Sequence, residues 1–243
     1  MRLTVVGCSP SWPNPGGAHS GYLVEDGAHR ILLDCGPGVL ARLTDGGEWP
    51  DLDAIVLTHF HLDHAGDLVP WVWGSLHLES RGVGVRKPEL WVPAGGQAML
   101  DRFGDLLGFR GMFGRAFSVH EYTPAAEFTA GGHAIAATKV PHYGVDAHAL
   151  RVTAGGRALA YSGDSGPSND LAAAAEGADL FVCEATLESG EPEADARGHL
   201  SLDEALAVHE RSGAKALLIT HRPWDLERPA GIDFAQDGVV RQV

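Results

Sequence analysis

The chain is poor in the features that would hold a protein together from outside its core. It has only three cysteines, Cys8, Cys35 and Cys183. The odd count and wide spacing argue against a disulfide framework and lead us to expect a reducing, cytoplasmic setting. Long apolar runs are missing as well. The β-type run at residues 3–6 is too short for the apolar region of a signal peptide, and no stretch approaches transmembrane length, so no membrane partner is expected. Cations are scarce: 18 Lys and Arg stand against 32 Asp and Glu, for a net charge of −14. The densest basic group, residues 81–87, holds Arg81, Arg86 and Lys87. A field of that sign repels polyanions, which disfavours a long nucleic acid as the main substrate. No linker, composition break or internal repeat interrupts the chain, so residues 1–243 are read as one domain.

Short apolar runs and helical periodicities fill the sequence. Strands are expected at residues 3–6, 21–25, 30–34, 54–57, 89–93, 121–128, 133–140, 147–153, 157–161, 180–186 and 216–221. The second and third form a hairpin closed around Asp26-Gly27, and Gly155-Gly156 closes another. Helices are expected at residues 39–43, 67–77, 97–107, 171–176 and 202–212. Ser201 caps the last of these, and Glu204 completes a capping box. In the second helix, Leu68, Val69, Trp71, Val72, Trp73 and Leu76 read as core, and Pro70 fits only near its start. Residues 108–117 are punctuated by glycine and carry aromatics with Arg110 and Arg115. They read as a loop, either a cleft wall that stacks a base or seats a phosphate, or a segment packed at the surface or in a homodimer contact.

The densest chemistry follows the strand at residues 54–57, where His59, His61, Asp63 and His64 fall within six positions. Alternate side chains of an extended chain share a face, so His59 and His61 point the same way. Asp63 and His64 are adjacent and diverge. That arrangement suits two ions side by side, with His59 and His61 on the first and Asp63 and His64 on the second. A lone histidine is more often structural, but four ligand-type residues together are hard to place in a core, where unpaired polar groups are costly. Mixed N and O donors suit Zn2+, and Mn2+ and Fe2+ accept the same set. Further polar residues recur at strand ends: Asp34, His142, Asp164, Glu184 and His221.

The run His59-x-His61-x-Asp63-His64, followed in order by His142, Asp164 and His221, resembles the signature of the metallo-β-lactamase fold hydrolases. The resemblance covers nearly the whole chain and implies an α/β fold of four layers, an αββα sandwich. It further implies a seven-residue ligand set for two divalent metal ions, Zn2+ foremost. His59, His61 and His142 would hold the first, Asp63, His64 and His221 the second, and Asp164 both. Asp34 would be structural, hydrogen-bonding near the ligand loop. A hydroxide shared by the two ions would be the attacking group.

Three shorter motifs, Tyr161-Ser162-Gly163-Asp164-Ser165, Cys183-Glu184-Ala185-Thr186 and Gly198-His199-Leu200-Ser201, resemble those of the ribonuclease Z group. In that group the matching histidine steadies or protonates the leaving oxygen and the glutamate orients it. The resemblance therefore makes His199 and Glu184 catalytic, together with Asp63. Cys183 stands where the group usually has histidine, and Leu200 interrupts its His-Ser-Thr run. The basic arm with which ribonuclease Z grips transfer RNA, placed between the equivalents of His142 and Asp164, has no counterpart here. Short armless relatives include bacterial cyclic-nucleotide phosphodiesterases, and Gly7-Cys8-Ser9 and Ser20-Gly21-Tyr22-Leu23 resemble them. The expected substrate is therefore a small phosphodiester or nucleotide, with a 3′,5′-cyclic nucleotide foremost. The alternatives are tRNA 3′ endonuclease activity and a carboxyl-ester or lactone hydrolase on the same metals.

Overall fold

Period-2 and period-3.6 apolar patterns along the chain sort it into sheet layers and helix layers. The computed structural model describes residues 1–124, 126–188 and 197–243. In chain order the first half gives β1 (Arg2–Gly7), β2 (Gly21–Asp26), β3 (His29–Leu33), α1 (Val39–Leu43), β4 (Ala54–Val56), α2 (Leu62–Ala65), α3 (Leu68–Ser80), β5 (Glu89–Pro93), α4 (Gly96–Leu106), α5 (Met112–Ala116) and β6 (Ser118–Tyr122). The second gives β7 (Phe128–Ala130), β8 (His133–Val140), β9 (Ala147–Ala154), β10 (Arg157–Tyr161), α6 (Asn169–Ala174), β11 (Leu180–Glu184), α7 (Leu202–Ser212), β12 (Leu217–Thr220) and β13 (Val240–Gln242). One sheet has the order β13-β1-β2-β3-β4-β5-β6 and the other β12-β11-β10-β9-β8-β7.

Three apolar clusters explain the layering. Leu3, Val5, Tyr22, Ile31 and Val56 of the first sheet meet Ile135, Leu150, Leu159, Tyr161 and Val182 of the second, forming a core between the sheets. Leu32, Ile55, Leu57 and Leu90, on the opposite face of the first sheet, pack against Val39, Leu68, Trp71, Val72, Leu100 and Phe113 of its helices. Phe181, Cys183 and Ile219 do the same against Leu171, Ala205 and Val208. The result is the four-layer αββα sandwich. Strands β3 and β4 are parallel, as are β10, β11 and β12, so each sheet presents a row of strand C-termini along one edge.

Several expectations need correction. Residues 121–128 are not one strand: β6 closes the first sheet and β7 opens the second, so the chain crosses between layers there, and Ala125 lies outside the described residues. Residues 108–117 are not an open loop. They contain α5, with Met112, Phe113, Ala116 and Phe117 all buried. Arg110 faces Asp105 at 3.9 Å, and Arg115 lies over Phe109 at 5.6 Å. Trp73 is not core; it is 50% exposed and meets Phe109. Strand β13, which pairs antiparallel with β1, was not expected. The capping box at Ser201 and Glu204 forms as expected, and Pro70 is the third residue of α3.

The two tryptophans of α3 should separate in stability. Trp71 is fully buried and contacts Trp49 and Phe117, so Trp71→Ala is expected to cost about 3–5 kcal/mol. Trp73→Ala should cost about 0.5 kcal/mol. Denaturant unfolding of both variants checks the difference.

Candidate metal centre

The two rows of strand ends meet at one rim. The first sheet delivers Asp34 after β3 and residues 57–64 after β4. The second delivers His142 after β8, Asp164 after β10, Glu184 at the end of β11 and His221 directly after β12. A backbone bond from His148 N to Thr58 O (3.2 Å) stitches the rows together, as does a side-chain bond from Tyr161 Oη to Asp34 Oδ2 (2.9 Å).

All seven sequence-predicted metal residues converge there. His59, His61, His142 and Asp164 form one group of donors within 4.8 Å of one another, and Asp63, His64, Asp164 and His221 form a second. Asp164 belongs to both and is split between them. Its Oδ2 lies 4.0 Å from His59 Nε2 and 3.8 Å from His142 Nε2, while its Oδ1 lies 3.2 Å from His64 Nε2 and 3.6 Å from His221 Nε2. Glu184 and His199 sit beside the second group, with His199 stacked on His221 at a centroid distance of 5.6 Å.

The ring tautomers are set from outside the centre. His64 Nδ1 donates to Asp34 Oδ2 at 2.7 Å, and His142 Nδ1 donates to Gly198 O at 2.7 Å. Thr58 Oγ1 donates to Asp34 and so accepts from His59 Nδ1 at 3.0 Å. Thr186 Oγ1 donates to Glu184 Oε2 and accepts from His221 Nδ1 at 2.8 Å. Each of these imidazoles therefore turns a bare Nε2 inward. Such outer partners fix both the orientation and the basicity of ligating histidines. His61 differs, presenting Nδ1 at 2.9 Å from His142 Nε2.

The buried inward atoms have no other use. His59 Nε2, His64 Nε2 and Asp164 Oδ1 are buried with no hydrogen-bond partner. His221 Nε2 faces Asp63 Oδ2 at 3.2 Å. A lone pair facing a carboxylate is repulsive unless a proton or a cation lies between them, so the donor set fits divalent cations. The titration tendencies agree. Burial lowers the pKa of His59, His61 and His142, which favours the neutral, ligating form. Burial opposes a charge on Asp164, yet the facing His221 and His64 hold its carboxyl well below the usual range. Burial also opposes a charge on His199, but Glu184 and Asp164 push its pKa up to about 9.

Asp34 is not a donor to either group. Buried and at φ 59°, it accepts from Thr58 N (2.8 Å), Thr58 Oγ1, His64 Nδ1 and Tyr161 Oη. Thr58, Gly198 and Tyr143 were given no role by sequence reasoning. The backbone gives a signal for the last: the described non-glycine residues at positive φ are Asp34, Tyr143 and His221, all at the rim. Of the other histidines, His19 binds Pro10 O through Nδ1 at 2.7 Å, and His148, in β9, is buried 3.9 Å from Asp146; neither joins a donor group. A hollow of 380 Å³, lined mainly by apolar side chains that include Phe60, Leu62, Met99, Leu100, Phe103 and Phe113, contains none of the His and Asp donors.

Comparison with known proteins shows the family. The profile of the family described as "Beta-lactamase superfamily domain" matches residues 29–222. The probable metallo-hydrolase YhfI of Bacillus subtilis (strain 168) is 32% identical over 92% of this chain and 87% of its own length. The crystal structure of that metallo-beta-lactamase fold protein superposes with a TM-score of 0.84 at 27% identity, covering 99% of this chain and 98% of the other. A ribonuclease Z of Mycobacterium bovis is 28% identical over 91% of this chain and 85% of its own length. A diphosphatase of the PhnP family has the same fold, with a TM-score of 0.79, 21% identity, and coverage of 100% of this chain and 97% of the other.

Asp34→Asn isolates the outer support. Asn tolerates the left-handed backbone, but its amide nitrogen cannot accept from Thr58, His64 or Tyr161. At fixed metal concentration, the variant is expected to lose about 1–3 kcal/mol in denaturant unfolding.

Proposed function

The chain belongs to the beta-lactamase superfamily, among metallo-hydrolases with ribonuclease Z-like relatives, and from that premise we propose that it is a dinuclear phosphodiesterase acting on a small phosphodiester, a 3′,5′-cyclic nucleotide foremost. His59, His61 and His142 would hold one ion, Asp63, His64 and His221 the other, and Asp164, which belongs to both donor groups, would serve both. The mixed donors suit Zn2+. When bound, two such ions lower the pKa of a water towards about 7 and neutralise charge that develops in the transition state.

The observation that carries the phosphodiester reading is the pair His199–Glu184. His199 Nδ1 donates to the buried Glu184 Oε1 at 2.8 Å. Glu184 is itself held by Ser165 N and by Thr186 N and Oγ1. The pair keeps the imidazole oriented and protonated, with Nε2 left to give its proton to a departing alkoxide oxygen. Asp63, facing His221 on one side and His64 at 3.4 Å on the other, would bind the second ion and accept a hydrogen bond from the attacking water. An ester or lactone hydrolase has less need of a second acid placed in this way.

Size selection follows from what lies between His142 and Asp164. The chain there forms a turn, β9, the Gly155-Gly156 reversal and β10. No basic extension leaves the sandwich at that point, and the net charge of −14 disfavours a long polyanion. The ribonuclease Z relative supports tRNA 3′-processing as the second reading.

Chelator-stripped protein titrated with Zn2+ is expected to take up two ions per chain, and Asp164→Asn to weaken both sites. The loaded enzyme should turn over cyclic AMP, cyclic GMP or bis(p-nitrophenyl) phosphate; silence on all three overturns the proposal. His199→Ala should lower kcat by about 10²–10⁴ with metal content unchanged, and Glu184→Gln by about 10–100-fold. Unchanged turnover in His199→Ala would point to ester chemistry, and efficient cleavage of a precursor tRNA to the second reading.

A further inference from the structure

The loop between β1 and β2 and the segment after β12 enclose another hollow, of 540 Å³, a volume within the range of small-molecule sites. Its lining includes Ser9, Asn14, Arg42, Trp224, Arg228 and Asp237, and none of the seven donors. The walls are fixed in place. Asn14 Nδ2 donates to Arg222 O (3.2 Å) and its Oδ1 accepts from Trp224 N (3.0 Å), so the first loop clamps the backbone that carries the tryptophan. Asp237 accepts from Cys8 Sγ (3.2 Å) and Ala18 N (2.8 Å) and pairs with Arg42 at 2.9 Å. Burial, with Asp237 beside it, pushes the Cys8 thiol up, so Cys8 adds no negative charge.

Two groups in this frame keep unused binding capacity. Trp224 is 60% exposed, and among the described residues no ring stacks on it and no acceptor engages its indole N–H. Arg228 is exposed, lies over the Phe234 ring at 5.6 Å and reaches Arg222 O at 3.4 Å, but among the described residues no carboxylate stands at ion-pair distance from it. Asp237 is the one carboxylate in the described lining, and Arg42 already engages it. In a chain of net charge −14, a hollow with two guanidinium groups and one carboxylate is a local exception to a field that repels anions.

We propose that this hollow is a second binding site, for a small ligand that joins an anionic group to a planar aromatic one, as a nucleoside monophosphate does. The guanidinium of Arg228 offers a fork of donors to a phosphate, and the open face of Trp224 stacks a base. The site is separate from the donor centre and does not depend on diester hydrolysis there.

The test reads the hollow itself. In isotope-labelled protein as purified, with its metal, the indole N–H resonance of Trp224 is identified by its loss in Trp224→Phe. Adenosine 5′-monophosphate, adenosine and inorganic phosphate are then titrated and followed at that resonance. The nucleotide is expected to shift it saturably, binding about tenfold or more tighter than adenosine or phosphate. Arg228→Gln, a change at an exposed side chain, should bring the nucleotide down to the affinity of adenosine with the other indole resonances unmoved. A resonance that the nucleotide does not move overturns the site, as does adenosine or phosphate binding as tightly as the nucleotide. Nucleotide affinity unchanged in Arg228→Gln also overturns it, since the shift would then report binding at the donor centre.

Discussion

The buried carboxylate of Asp34 is the constraint on which the rim depends. Its two oxygens receive Thr58 and His64 from the first sheet and Tyr161 from the second. One side chain thereby joins the layers, orients His64, and fixes the hydroxyl that orients His59. Unpaired, such a group would cost several kcal/mol. With its donors satisfied, it leaves the bare nitrogens of His59 and His64 no role except towards the cavity. Thr186 and Glu184 form the counterpart on the second sheet, serving His221 and His199 in the same way.

The rest of the centre follows from electrostatics. Asp34, Asp63, Asp164 and Glu184 are all buried close together. Carboxylates in that state need positive charge nearby. Asp164 and Asp34, facing His64, push its pKa well above its usual value despite burial, so a proton at its bare Nε2 would answer them in part. Divalent ions between the same atoms do this more completely, and the donors are already disposed around two points.

Much of this was legible in the sequence because the ligand loop is contiguous and the other donors sit at strand ends. Four ligand-type residues between His59 and His64 announce themselves, and an apolar run ending in His221 or Glu184 places its last polar side chain at a rim. The supporting partners were not legible. Gly198 acts through a carbonyl oxygen and Thr58 through a hydroxyl shared with two neighbours, roles that only a folded chain defines. Helix α5 was hidden by Gly108, Gly111 and Gly114, which read as breakers; tertiary burial of Met112 and Phe113 outweighed that local preference. Strand β13 is a three-residue segment with two polar side chains, and only its partner β1 makes it a strand.

The donors are unequally shielded, and that has a consequence for traffic. His59, His64, His142, Asp164 and His221 are each at most 2% exposed, whereas His61 is only partly buried. Entry and exit therefore run past His61, with His199 and Tyr143 on the same doorstep. Of the two donor groups, the one that contains His61 lies nearer solvent, and the one backed by Asp34 and Thr186 lies deeper.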